Sequence, residues 1–363
     1  MSDVPVNRIL CGDALDVLKA LPADCVDVIF ADPPYNLQLN GELWRPNLTR
    51  VDAVDDAWDH FDNFAAYDTF TRQWLSGAWH ILKPTGTIWV SGTYHNIFRV
   101  GAIMQDLGYW VLNTIIWHKP NAMPNFRGTR FKNDVEVVIW AKKGDRGAYT
   151  FRHHEMKVFN EGKQLGSLWS LPICTGAERL RDADGKKLHP TQKPELLLER
   201  IITASTRPGD LILDPFLGTG TTAAVAKRLG RDWIGIERET AYIEAAQKRI
   251  DSVEPLPDDD PRLSTEDKRP RRVAFKTLIA AGYLAVGEVL TLDAPQMNAV
   301  IQPDGHLATE WGDQGSIHGL ASMLKDVPSV NGWKHWQYRA SDGQMEVIDV
   351  LRRRYRDAQR NEG

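Results

Sequence analysis

The chain has 363 residues, a quarter of them charged and 42% apolar, and a net charge of −4, which suits one large globular domain plus a smaller one. It holds no apolar run of about 18 residues and no signal-peptide pattern, which excludes a membrane span and predicts a cytosolic protein. Three scattered cysteines, Cys11, Cys25 and Cys174, form no Cys-x-x-Cys pair, which argues against a disulfide scaffold and against a structural metal.

Residues 8–11 predict a short strand, 15–21 a helix and 26–31 a buried parallel strand. Asp32-Pro33-Pro34-Tyr35 follows at that strand's carboxyl end, where open α/β sheets bind ligands. Prolines lack an N–H, so their carbonyls only accept hydrogen bonds. With the Asp32 carboxylate and the Tyr35 ring they make an acceptor-rich pocket with a stacking face, suited to a flat ring bearing an amino group. Residues 38–62 are polar and acidic and predict a long loop, a length that is usually functional. A helix at 65–82, a strand at 87–91, a helix at 96–107 and a strand at 110–118 come next, then a strand at 135–141 antiparallel to the last. The alternation implies a mostly parallel sheet covered by helices.

Charge is unevenly spread. Residues 1–118 carry −7, 119–200 carry +6, 201–261 carry −4 and 262–363 carry +1. The basic block, weakly periodic from 143 to 188, predicts a phosphate-facing surface. Within it Arg127, Arg130 and Lys132 are candidates for DNA contact, with Lys142, Lys143, Arg146 and Arg152 alongside; arginine forks read guanine edges and lysines mostly meet phosphate.

The α/β alternation resumes with a helix at 194–205, a strand at 211–213, a helix at 220–229, a strand at 233–236 and a helix at 239–251. Asp214-Pro215-Phe216-Leu217-Gly218-Thr219-Gly220 joins strand to helix, and its glycines predict close backbone approach to a ligand. Glu237 ends the next strand, placed to accept hydrogen bonds from ribose hydroxyls. Gly218-x-Gly220-x-x-Ala223 also fits a dinucleotide fingerprint, the basis of an oxidoreductase reading. Asp214 opposes it, because a carboxylate stands where a pyrophosphate would lie, and Asp32–Tyr35 and the basic block go unexplained. A DNA-binding protein with a degenerate enzyme domain is the other alternative, opposed by the intact Asp32, Tyr35, Gly218, Gly220 and Glu237.

The two motifs together resemble the DNA amino-methyltransferases. That resemblance implies that Asp32-Pro33-Pro34-Tyr35 holds the target base and that Asp214, Phe216, Gly218 and Gly220 bind S-adenosyl-L-methionine. His189-Pro190-Thr191-Gln192-Lys193-Pro194 is similar to the family segment whose Thr191 and Lys193 positions meet the methionine end of the cofactor, and Asp13 matches the position that meets its adenine. The motif order is that of the circularly permuted β class. The implied fold is an α/β, Rossmann-like methyltransferase sheet with a small C-terminal α+β module. The implied layout is a methyltransferase domain at 1–252 (base-pocket half 1–142, DNA-recognition insert 143–188, cofactor half 189–252), a proline-rich linker at 253–272 and an adenine-methylase-associated DNA-binding module at 273–363. The whole chain resembles the cell-cycle-regulated adenine methyltransferases of α-proteobacteria. That implies adenine N6 methylation at GANTC in duplex DNA by base flipping, in a bacterial, nucleoid-associated and solitary regulatory enzyme. Permuted members are often homodimers.

C5-cytosine chemistry needs a cysteine nucleophile, and no cysteine here sits in a Pro-Cys pair. Cytosine N4 is the nearer rival; Asp at the first motif position goes mostly with adenine in the family. In the tail, Asn331-Gly332 is a turn signal. It predicts Trp333 near a loop tip; Trp311, Trp333 and Trp336, alternating with Lys334 and His335, are candidates to stack on unpaired bases, with a tryptophan-rich small core as the alternative, more so for Trp336 than for Trp333.

Overall fold

The computed structural model describes residues 4–37, 59–125, 128–182, 184–264 and 273–361. Most of the expected loop at 38–62, the basic half of the expected linker and Arg127 lie outside these residues. The chain forms two compact units, Met1–Glu266 and Asp267–Gly363.

The first unit is built on an eight-stranded sheet. Its strands in chain order are β1 (Arg8–Cys11), β2 (Val26–Ala31), β3 (Leu82–Gly92), β4 (Tyr109–His118), β5 (Val135–Lys143), β6 (Leu168–Ser170), β7 (Leu211–Asp214) and β8 (Asp232–Glu237), and its helices are α1 (Ala14–Ala20), α2 (Phe64–Ile81), α3 (Ile97–Asp106), α4 (Glu195–Ser205), α5 (Thr221–Arg228) and α6 (Thr240–Asp251). The spatial order is β1-β8-β7-β2-β3-β5-β4-β6. All neighbours pair in parallel except β5, which is antiparallel to both β3 and β4. Sequence patterning predicted every strand except β6, whose three residues carry no periodicity.

Strand side chains alternate between faces, and both faces are buried. Val28, Phe30, Trp89, Trp140 and Ile212 join a core with α4, α5 and α6. Ile29, Ala31, Ile88, Ile139 and Leu213 join a second core with α1, α2 and α3. Strands covered on two sides read as continuous apolar runs for this reason. The chain leaves β2 through α2 on one face and leaves β7 through α5 on the other. Strand order therefore reverses between β2 and β7, and a crevice opens at their carboxyl ends.

The segment at 253–264, read from its prolines as linker, is instead a docked strap. Val253, Leu256 and Leu263 pack against the α4–α6 core, and Arg262 pairs with Asp260 at 2.8 Å and Glu199 at 3.5 Å. Spaced apolar side chains decide the outcome over proline content.

The second unit is a six-stranded antiparallel sheet of β9 (Val289–Leu292), β10 (Met297–Ile301), β11 (Leu307–Ala308), β12 (Gln314–Gly315), β13 (Trp336–Arg339) and β14 (Met345–Val347), in the order β12-β11-β10-β9-β13-β14. Helices α7 (Phe275–Ala280), α8 (Ile317–Leu324) and α9 (Asp349–Asn361) complete it. A turn at Pro303-Asp304-Gly305 joins β10 to β11, with the Gly305 N–H donating to the Gln302 carbonyl at 2.9 Å. Among the described residues no helix is long and apolar enough to cross a membrane.

Candidate active site

A cavity of about 360 Å³ occupies the crevice between the ends of β2 and β7, a size typical of small-molecule sites. Its lining brings the two sequence motifs together: Asp32 through Tyr35 from the end of β2, Asp214 through Thr219 from the end of β7, Glu237 from β8, Asp13 from the N-cap of α1 and Thr191 and Lys193 from the approach to α4. Arg130, Lys132, Trp333 and Lys334 do not line it.

The turn after β2 is tied down from below. Asp59 accepts three successive backbone N–H groups, from Tyr35 at 2.5 Å, Asn36 at 2.9 Å and Leu37 at 2.8 Å. The Tyr67 hydroxyl donates to the Pro34 carbonyl at 2.9 Å, while Pro33 faces the cavity. Composition alone did not mark Asp59 or Tyr67, since an acidic loop and an amphipathic helix account for both.

Asp32 sits in a buried polar ring. Its Oδ1 accepts from the Tyr35 hydroxyl at 2.7 Å and its Oδ2 from the Lys193 ammonium at 2.6 Å. Tyr35 Oη also lies 3.0 Å from Ser91 Oγ and 3.2 Å from Glu136 Oε2. Glu136 accepts from Lys119 at 3.0 Å. The Tyr35 ring is largely covered, and the Lys193 ammonium lies 5.2 Å from its centroid. Burial pushes the Asp32 carboxyl above its ordinary range despite Lys193. Burial also pushes up Glu136, but Lys193 and Lys119 together outweigh it and hold that carboxyl low. Lys193, expected against the cofactor, thus spends its ammonium on Asp32. Glu136, Lys119 and Ser91 escaped sequence reading altogether.

The opposite wall is acidic. Asp214 Oδ1 accepts from the Phe216 N–H at 2.9 Å and Oδ2 from the Thr222 hydroxyl at 2.5 Å. Glu237 accepts backbone N–H bonds from Gly218 at 2.8 Å, Arg238 at 2.8 Å and Glu239 at 3.0 Å. Asp13 caps α1 through the Leu15 N–H at 2.8 Å. Phe216 packs edge-on against Trp74, centroids 5.5 Å apart. Thr191 is half-buried, its N–H donating to His189 Nδ1 at 3.2 Å. Six carboxyl side chains, from Asp13, Asp32, Asp59, Asp214, Glu237 and Glu239, line the cavity against two cations, Lys193 and Arg238, beside an aromatic wall, a donor set that fits a cationic ligand with a flat ring and hydroxyls. Gly220 serves packing more directly than ligand approach: its φ is +80° and a Cβ there would meet the Ala246 Cβ at 2.8 Å. Gly218, at φ +53°, faces the His189 ring.

Burial pushes the Asp214 carboxyl up to about 7, against the hydrogen bonds from Thr222 and Phe216. A carboxyl raised by folding contributes stability that is whole below its unfolded value near 3.8 and lost as pH rises through about 7. Asp214→Asn keeps the side-chain shape without that loss. Its stability advantage over the parent is expected to grow by about 2–3 kcal/mol between roughly pH 5 and pH 8. Denaturant melts at the two pH values measure it, and parallel curves would refute it.

The basic block is less free than its charge count implies. Lys142 is buried and donates to the carbonyls of Asp145 and Gly147 at 2.8 and 3.2 Å. Lys143 pairs with Asp24 at 2.7 Å, and Arg152 is buried against Glu155 and the carbonyls of Thr206 and Ser264. These three are structural, which corrects their reading as a DNA face. Arg130 and Lys132 are exposed; Arg130 donates to the Tyr94 hydroxyl at 2.8 Å, and Lys132 pairs with Asp134 at 3.2 Å.

In the second unit Trp333 is not at an open loop tip. It is 6% exposed, packs on Phe275 at 6.1 Å and carries the Arg352 guanidinium 4.6 Å from its ring centre. A turn of 3₁₀ helix, Gly332–Lys334, folds it inward while Lys334 stays exposed. Trp333, Asn331, Ser316 and Arg352 line an open hollow.

Residues 26–248 match the N6/N4 DNA methylase family, and residues 256–361 match the family described as Restriction Enzyme Adenine Methylase Associated. The chain is 45% identical over 350 residues to the Type II methyltransferase M.HinfI of Haemophilus influenzae, covering 96% of this chain and 97% of that protein. It is 43% identical over 246 residues to the Type II methyltransferase M2.LlaDCHI of Lactococcus lactis subsp. cremoris, covering 67% and 89%. Among solved structures, the PvuII DNA methyltransferase (cytosine-N4-specific) aligns with a TM-score of 0.53 at 22% identity, over 68% of this chain and 86% of that one. The fold is the Rossmann-like fold of the methyltransferases.

Proposed function

The chain belongs to the N6/N4 DNA methylase family, and on that premise we propose that it methylates adenine at N6 within GANTC in duplex DNA, on a base turned out of the helix. Duplex DNA is the substrate of the family, and S-adenosyl-L-methionine is the methyl donor. The observation that carries the choice of an amino group is the Asp32 carboxylate held beside Pro33 at the mouth of β2. The choice of adenine draws on Asp at the first motif position and on the match of residues 256–361 to an adenine-methylase-associated family.

When bound, the cofactor supplies an electrophilic methyl on a sulfonium sulfur. Asp13, Asp214, Phe216, Gly218 and Glu237 would hold it, on the acidic wall that suits its positive charge, while Gly220 lets the loop pack on Ala246. Thr191 closes the same wall beside His189.

An exocyclic amino nitrogen is a weak nucleophile because its lone pair is delocalised into the ring. Asp32 and the Pro33 carbonyl accept its two hydrogens and favour a pyramidal nitrogen with a localised pair. Positioning supplies much of the remaining rate. The nitrogen gains positive charge as it is alkylated, and the fixed Asp32 carboxylate stabilises that charge without reorganisation. The same carboxylate accepts the proton that leaves. Turning the base out costs a few kcal/mol, offset by contact with the Tyr35 side of the pocket. Arg130, Lys132 and Lys334 meet phosphate. Trp333 shapes the hollow of the second unit, where a base or sugar edge fits.

The test is transfer of labelled methyl groups to duplexes with GANTC, with its adenine replaced, and without the site. Nucleoside analysis is expected to show N6-methyladenine on the first alone. N4-methylcytosine, or equal labelling of all three duplexes, overturns the assignment.

A further inference from the structure

We propose that Lys193, shared with Glu136, is a positioning residue that keeps Asp32 ionised and aimed into the pocket. This deepens the methyltransferase reading and rests on it. The geometry is a closed ring: Asp32 Oδ2 to Lys193 Nζ, 2.6 Å; Lys193 Nζ to Glu136 Oε2, 3.7 Å; Glu136 Oε2 to Tyr35 Oη, 3.2 Å; and Tyr35 Oη to Asp32 Oδ1, 2.7 Å. Lys119 closes the other Glu136 oxygen at 3.0 Å. Lys193, Lys119, Glu136 and Asp32 have side chains 6, 9, 13 and 16% exposed. Two carboxylates and two ammonium groups cancel, so the assembly buries no net charge.

The sharing is unequal, and that inequality is what serves catalysis. Among the described residues, Asp32 has one cation in contact, Lys193, whereas Glu136 has two, Lys193 and Lys119. Glu136 is therefore the stronger acid and stays ionised, and Asp32 is the carboxylate poised to take up a proton. Burial acting alone would protonate Asp32 and turn one of its oxygens into a donor, the wrong partner for an amino hydrogen. The Lys193 ammonium opposes that. Its attraction to Glu136 keeps it from neutralising Asp32 completely. A purely structural need at this place would be met as well by apolar residues, because buried ion pairs seldom add stability over a packed apolar replacement.

Other charged groups face the same point. His189 precedes Lys193 and is held neutral, down to about 4, by burial and by the Lys193 and Arg179 cations. Tyr35 stays protonated, pushed well above 10 by burial and the two carboxylates. Asp214, from β7, senses Asp32 and titrates near neutrality, so the experiment must read Asp32 itself.

The full-length enzyme with saturating cofactor is assayed for kcat and KM against pH as Lys193→Met, Lys193→Arg and Glu136→Gln. The Asp32 carboxyl is followed by ¹³C NMR in the same proteins without DNA, its resonance assigned by its loss in Asp32→Asn. Removing a cation 2.6 Å from Asp32 raises the acid limb of kcat, and the NMR titration, by about one pH unit or more. Removing the Glu136 charge lowers both. Lys193→Arg keeps both near the parent values, and KM for DNA changes less than kcat in all three. Shifts in one direction, or uniform loss of rate with an unmoved profile, overturn the proposal. If Lys193→Met does not fold, the direction seen in Glu136→Gln decides. If opposite NMR shifts are found in a protein that methylates no DNA, the ring stands and the methyltransferase reading falls.

Discussion

An Asp32→Asn protein is expected to transfer methyl groups to DNA about a thousandfold more slowly than the parent, while binding cofactor and duplex with little change. Removing one preorganised electrostatic partner of a charge that develops in the transition state typically costs 10²–10³ in kcat, roughly 3–4 kcal/mol. In the proposed mechanism Asp32 acts twice, as an acceptor of amino hydrogens and as the counter-charge to the alkylated nitrogen, so the upper end of that range applies. Asparagine keeps the volume and one acceptor, which the Tyr35 hydroxyl retains. Its amide NH₂ faces the Lys193 ammonium, donor against donor, and Lys193 turns toward Glu136, already 3.7 Å away. Alanine would be a worse probe, because it leaves a cavity beside a buried cation as well as removing the charge. Single-turnover rates with saturating cofactor and DNA measure the effect, and circular dichroism and cofactor titration check that the fold and binding persist. A variant turning over at a tenth of the parental rate or better would mean that Asp32 is not the acceptor.

The sequence showed the parts of this site that lie at strand ends and stay close in the chain. Asp32–Tyr35, Asp214–Gly220 and Glu237 each follow an apolar run, and a parallel sheet brings such ends to one edge. The partners that make Asp32 chemically useful were hidden. Ser91 and Glu136 meet Tyr35 across 56 and 101 residues, and Lys193 meets Asp32 across 161. A carboxylate between Val135 and Val137 reads as the polar side of an alternating strand. Only its position on β5, paired with both β3 and β4, turns it inward. Charge counting failed for a related reason. Lys142 and Arg152 contribute to the +6 of their segment, yet each is 7% exposed and satisfied by backbone carbonyls. Net charge measures composition, while a DNA-facing surface needs the charges to be outside.

Trp336→Ala is expected to cost the second unit about 3–5 kcal/mol, a large share of the stability of a domain its size. Trp336 is fully buried in a core with Leu290, Leu292, Ile317, Leu320 and Ile348. Its indole N–H donates to the Ile317 carbonyl at 2.9 Å, at the first residue of α8. Truncation therefore opens a cavity and removes one of the two donors to a buried carbonyl, which keeps its helical partner in α8. Trp333→Ala shares the mechanism more weakly: the ring is buried, but it lines an open hollow that water can fill. The order Trp336 over Trp333 is the discriminating part. Amide hydrogen exchange on the full chain reads it by segment. Peptides from 273–361 should lose most protection in Trp336→Ala and a smaller share in Trp333→Ala, with peptides from 4–264 unchanged in both. Equal protection in the two variants would mean that Trp333 carries as much of the core as Trp336. Weakened DNA binding by Trp333→Ala could then no longer be separated from loss of fold.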